Sequence, residues 1–263
     1  MTGTPGRLAA HKDMLAALGL VACLGAGGGF LYRRPREPPA TTYVNIVEDN
    51  TRSMQTDRAC PDTERLGREI LQTSRGRLTL GLWSLGDKRT SGNEPIRLGT
   101  LVRERRVRLM EQSNSGKADE KLLSELVRLC EEMPVRDESP IRNGIATILV
   151  SFPKECRQKN YTCRLYVRTD LLETLVPHLR NALSSPDATN SRPADLALLP
   201  NEHIDVIICG TSERSGTTKR QLPSLDRLEN VWTPEFTNPE RLRFDPVCAP
   251  GIPTEKLVAA HSN

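Results

Sequence analysis

Asp49, Thr51 and Ser53 stand at alternate positions in the run Asp49-Asn50-Thr51-Arg52-Ser53-Met54. One carboxylate and two hydroxyls on a loop that leaves a strand offer three hard oxygen ligands to one small divalent cation. Two later positions, Ser139 and Asp170, supply a third hydroxyl and a second carboxylate. Mg²⁺ favours about six oxygens at roughly 2.0–2.1 Å and keeps several of its waters, so such a mixed set suits Mg²⁺, or Mn²⁺. Neutral hydroxyl ligands leave the ion electrophilic, open to an Asp or Glu carboxylate of a protein partner. Taken alone, the first run also fits a helix cap or an Asx-turn.

These residues need a scaffold that brings three loops together. Residues 41–48 are β-rich and end at the acidic loop. Pro61 to Thr73 reads as a helix with proline near its start. Arg77 to Leu85 alternates leucines on one face, as a strand does, and a shorter strand around Ile96 and Leu98 makes a hairpin with it. Leu101 to Met133 reads as a charged helix interrupted near Ser113–Gly116. Pro140 to Phe152 is a helix, Arg164 to Thr169 a strand, and Leu171 to Leu183 a helix weakened or kinked at Pro177. Ile204 to Cys209 is an apolar run suited to a strand buried on both faces. Leu225 to Phe236 closes the pattern as a helix, and the tail after Asp245 reads as irregular. Strands alternating with helices predict an α/β fold, doubly wound, with a mostly parallel central sheet. Ligands of such sheets bind beyond the carboxyl ends of the strands.

The pattern Asp49-x-Thr51-x-Ser53-Met54 resembles the D-x-S/T-x-S-M motif of von Willebrand factor A domains. Ser139-Pro140 stands where that family has Thr-Pro opening a helix, and Thr169-Asp170 where it has Thr-Asp, usually followed by Gly. The resemblance covers roughly residues 41 to 240. It implies a metal-ion-dependent adhesion site (MIDAS) formed by Asp49, Thr51, Ser53, Ser139 and Asp170. Two departures matter: Ser139 keeps the hydroxyl of the usual Thr, and Leu171 replaces the usual Gly. Neither removes a ligand type.

Outside that domain, residues 1–13 are an N-terminal flank, 14–32 an uncharged apolar segment, 33–40 a linker rich in Pro and Arg, and 241–263 a C-terminal tail. The apolar segment has about the length that crosses a ~30 Å hydrocarbon core as a single-pass helix. Leu20-Val21-Ala22-Cys23 also resembles a lipobox, with Cys23 as the lipidated residue, so an uncleaved anchor and a cleaved lipoprotein signal both stand. Basic residues on both flanks give no firm orientation.

Composition narrows the function. The chain has 263 residues, 37% hydrophobic and 4% aromatic, so its core is mainly aliphatic. A net charge of +4 gives no argument for nucleic acid. The seven cysteines form no close C-x-x-C pair, against a zinc site. Disulfides are possible if the soluble part is exported, but Cys130 and Cys209, in apolar runs, read as buried thiols. The run Arg103, Arg105, Arg106, Arg108 reads as a solvated helix face. No Walker-type loop and no nucleophile elbow is present. The leading expectation is a non-enzymatic, membrane-tethered adhesion or assembly module, its soluble domain extracytoplasmic. The alternatives are a Mg²⁺-dependent phosphoester hydrolase and a metal-independent structural subunit of an envelope assembly.

Overall fold

The computed structural model describes residues 41–50, 59–74, 76–85, 95–104, 112–133, 140–172, 175–185, 191–209 and 223–245. The chain divides into Met1–Pro38, which lies outside these residues, and Pro39–Asn263. The apolar segment 14–32 and Cys23 therefore fall outside the described residues. Among the described residues no helix is long and apolar enough to cross a membrane.

Six strands form one sheet in the order β3-β2-β1-β4-β5-β6. They are β1 (Thr41–Glu48), β2 (Leu78–Ser84), β3 (Ile96–Arg103), β4 (Tyr161–Arg168), β5 (Asp205–Cys209) and β6 (Leu242–Asp245). All neighbours are parallel except β3, which pairs antiparallel to β2 at one edge. The sheet is doubly wound, as the alternation of strand and helix patterns predicts. β1 and β4 carry near-continuous runs of buried residues because helices cover both faces.

One face packs on α1 (Ala59–Thr73) and α2 (Gln112–Glu131). Leu66, Ile70 and Leu71 of α1, and Leu123, Leu126 and Cys130 of α2, recur at helical spacing and meet Val44, Ile46, Leu80 and Leu82. The two helices approach so closely at Gly67 that a Cβ there would lie 2.4 Å from Leu126 Cδ2. The opposite face packs on α3 (Ile141–Val150), α4 (Pro177–Ser184) and α5 (Leu225–Trp232), with Ile145, Ile148, Leu179, Val231 and Trp232 against Val47, Leu165, Val167 and Val206.

Several elements differ from the sequence reading. Leu101, Val102 and Arg103 continue β3 instead of starting a helix, because they pair with Leu80, Thr79 and Leu78. Ser113–Gly116 lie inside α2 without a break. Arg103 is not on a solvated helix face: it is buried and donates to the Leu71 and Ser74 carbonyls and to Asp119. Those carbonyls end α1, where a cation is favoured. Arg105, Arg106 and Arg108 lie outside the described residues. Pro177 starts α4 rather than kinking it, a position that needs no N–H donor. β6, which the sequence reading left out, is a four-residue edge strand.

Cys130 and Cys209 are half-cystines, not thiols. Cys130 is joined to Cys60, with Cα atoms 5.7 Å apart, and Cys156 to Cys163, at 5.8 Å. Cys209 is also disulfide-bonded. Burial and bonding coexist here: an apolar run hides a half-cystine as readily as a thiol.

Candidate metal centre

The sheet reverses its winding between β1 and β4, which pair from Thr41↔Tyr161 to Glu48↔Arg168. In doubly wound sheets ligands bind at such a switch point, outside the carboxyl ends of the strands. Asp49 follows β1 directly, and its N–H donates to the Arg168 carbonyl at 2.9 Å. Thr169 and Asp170 follow β4. The Thr169 hydroxyl donates to Asp49 Oδ2 at 2.7 Å. Asp49 and Asp170 are each only 3% exposed. Two carboxylates predicted as ligands from positions 121 residues apart in the chain thus reach one edge of adjacent strands.

The loop after β4 is tightly fixed. The Leu171 N–H donates to Thr169 Oγ1 and the Leu172 N–H to Asp170 Oδ1, each at 3.0 Å. Leu171 has φ of 59°, a left-handed conformation that costs a non-glycine residue about 1–2 kcal/mol. This conformation explains why Gly suits the position in the family pattern. Here the side chain of Leu171 is fully buried, and its carbonyl accepts from Trp232 Nε1 at 3.3 Å. Packing and that hydrogen bond hold a backbone that leucine alone would avoid.

Thr51, Ser53 and Ser139 lie outside the described residues. The helix that follows Pro140 does begin at the carboxyl edge. A Cβ on Gly144, in the first turn of α3, would lie 2.3 Å from Leu85, the residue after β2. Asn50 is anchored across the same edge by its side-chain N–H₂ to the Met133 carbonyl at 3.0 Å.

Two buried ionic clusters flank the edge, and neither was read from the sequence. Glu48 and Arg168, the last residues of β1 and β4, form an ion pair at 3.1 Å. Thr63 donates to Glu48 at 2.5 Å, and Arg168 also reaches Asp62 at 3.1 Å. Burial pushes the Glu48 carboxyl above its ordinary value, against the opposing pull of the Arg168 charge and the Thr63 hydrogen bond. Arg168 is thereby engaged under α1. On the other face Arg142 Nε donates to Glu235 Oε2 at 2.6 Å, and His178 Nε2 lies 3.0 Å from Glu235 Oε1. His178, isolated in the sequence, thus has a partner 57 residues away. The cluster pins the start of α3 and of α4 to the turn after α5. Charged residues that end apolar runs were the one available sign of the first cluster; the second has none.

Donor chemistry fits a hard divalent cation. The described part of the set is two buried carboxylates, and the rest would be hydroxyls. Among the described residues no group of three or more His, Cys, Asp or Glu gathers for a metal.

A parallel sheet in the order 3-2-1-4-5-6, one antiparallel edge strand formed by a hairpin, and helices on both faces decide the architecture. This is the doubly wound arrangement that the resemblance to von Willebrand factor A domains implies. No family model and no curated protein sequence matches the chain. Solved structures that resemble it include the vWF domain of the type V pili tip protein Mfa5 from Porphyromonas gingivalis, at 10% identity and a TM-score of 0.42, over 85% of this chain and 95% of that one. Proximal thread matrix protein 1 from the mussel byssus, solved with a zinc-occupied MIDAS motif, gives 9% and 0.41, over 85% and 46%. The ArnB paralog VWA2 from Sulfolobus acidocaldarius gives 11% and 0.35, over 65% and 34%. The chain spans about a third of VWA2 and under half of the byssus protein. These are likenesses of fold alone.

Proposed function

We propose that the domain is a divalent-metal-dependent protein-binding module. Asp49 and Asp170, with Thr51, Ser53 and Ser139, would hold Mg²⁺ or Mn²⁺ at the switch point. When bound, the ion supplies an electrophilic coordination position that a partner's Asp or Glu carboxylate completes. The observation that carries the reading is the Thr169–Asp49 hydrogen bond, which brings both acidic loops to one buried edge. Thr169 orients Asp49, and the fixed loop at Leu171 keeps Asp170 from collapsing outward. Both act as positioning residues.

Residues 14–32 would tether the module to a membrane. We place the domain on the extracytoplasmic side. Five disulfide-bonded cysteines support this, since such bonds persist in oxidising compartments.

The test is a pull-down from native membrane extract with the full chain in Mg²⁺, in EDTA, and as Asp49→Ala, beside calorimetric titration with Mg²⁺ and Mn²⁺. A partner held only by wild type in the metal is the expected result. A partner retained under all three conditions would show that the fold binds without the ion.

A further inference from the structure

The opposite, amino-terminal edge of the sheet carries a second charged feature. The starts of β4 and β5, the 3₁₀ turn Lys154–Arg157 and the residue before β6 enclose a cleft of about 460 Å³. Its walls present Arg157, Lys159, Arg164 and Arg241 against the single carboxylate of Asp205. Asp205 is already engaged by Arg241 at 2.8 Å. Arg157, Lys159 and Arg164 make no ion pair among the described residues. Arg164 lies near Tyr166, two residues along the same face of β4, and its charge opposes the upward push of burial on that phenol.

Gathering like charges is unfavourable unless something holds them. Two features do. The Cys156–Cys163 bond ties the 3₁₀ turn to β4 and so holds Arg157 beside the start of that strand. Parallel pairing sets Arg164 opposite Asp205, beside Arg241. Tyr161, also in the cleft, stacks on Tyr43 with ring centres 6.0 Å apart, giving a fixed aromatic surface next to the cations. The volume lies in the range of small-molecule sites and exceeds what a bare oxyanion needs.

We infer that this cleft binds a phosphate or sulfate group carried on a small organic scaffold, with Arg157, Lys159 and Arg164 donating to the oxyanion and Tyr161 lying against the scaffold. Guanidinium forks match such oxyanions through paired, charge-assisted hydrogen bonds. The inference is independent of the metal edge.

Calorimetric titration of the full chain in EDTA tests it, with four probes: glucose 6-phosphate, inorganic phosphate, inorganic sulfate and glucose. Glucose 6-phosphate should bind most tightly, the two inorganic anions less so, and glucose not at all. Arg164→Gln and the exposed Arg157→Gln should each weaken glucose 6-phosphate by about tenfold or more. Paired Cys156→Ser and Cys163→Ser should weaken it too, while Asp49→Ala should leave it unchanged. Inorganic phosphate binding as tightly as glucose 6-phosphate would overturn the scaffold and leave a free-oxyanion site. Affinity unaltered in both arginine variants, or no binding of any probe by protein with a wild-type melting curve, would overturn the site itself.

Discussion

Leu171 shows how a single residue can sit against its own preference. At ordinary positions glycine is worse than alanine by about 0.5–1 kcal/mol, through backbone entropy. At 171 the left-handed backbone reverses that order. Leu171→Ala loses buried contacts, at about 2–5 kcal/mol, and keeps the strain. Leu171→Gly loses the same contacts and removes the strain. Urea denaturation should therefore find the glycine variant the more stable of the two. Glu48 makes a second prediction. Its carboxyl holds a proton more tightly folded than unfolded, so above its ordinary value of 4.5 the unfolded chain binds fewer protons. Stability from this group is then full below that pH and falls as pH rises toward the folded value. The stability of wild type relative to Glu48→Gln, followed by denaturation from acid to neutral pH, should decline across that window. A rising difference would mean that Arg168 outweighs burial.

At the scale of elements, the two mapped disulfides do unequal work. Cys60–Cys130 ties α1 to α2 across 70 residues, whereas Cys156–Cys163 closes a loop of 7. By loop-closure entropy the first contributes about 4 kcal/mol and the second about 2.5 kcal/mol. Serine pairs at each bridge, compared in thermal melts, should lower the midpoint more for Cys60 and Cys130. Elements were also where sequence patterns succeeded or failed. β1, β2, α3 and β5 were legible because apolar residues repeat at the period of the structure they form. The β3 extension at Leu101–Arg103 was not, since an edge strand is half-exposed and its charged neighbours imitate a helix. Of the candidate site, Asp49 and Asp170 were legible from their place after apolar strands. The supports were not: the Thr169 hydroxyl's choice of Asp49 and the Glu235 cluster depend on contacts between distant segments, which no local period records. The disulfides were hidden for the same reason.

The whole molecule carries its two charged regions at opposite ends of one sheet, the acidic pair at the carboxyl edge and the basic cleft at the amino edge. A cation held by the acidic pair would stabilise only the folded chain. At a hundred times its dissociation constant that amounts to about 2.7 kcal/mol, or roughly 5–11 °C for a domain of this size. Adding Mg²⁺ to EDTA-treated protein should raise the melting temperature of wild type and leave Asp49→Ala unmoved.

β1 lies at the centre of the sheet yet is the earliest of the described strands, and its partner Arg168 stands 120 residues after Glu48. At a synthesis rate of about 5–20 residues per second, one side of β1 waits roughly 6 to 24 s for β4 to emerge. During that interval the nascent polypeptide displays an unpaired apolar edge, the form most exposed to aggregation. A chaperone that acts during synthesis would meet that edge before the domain can close.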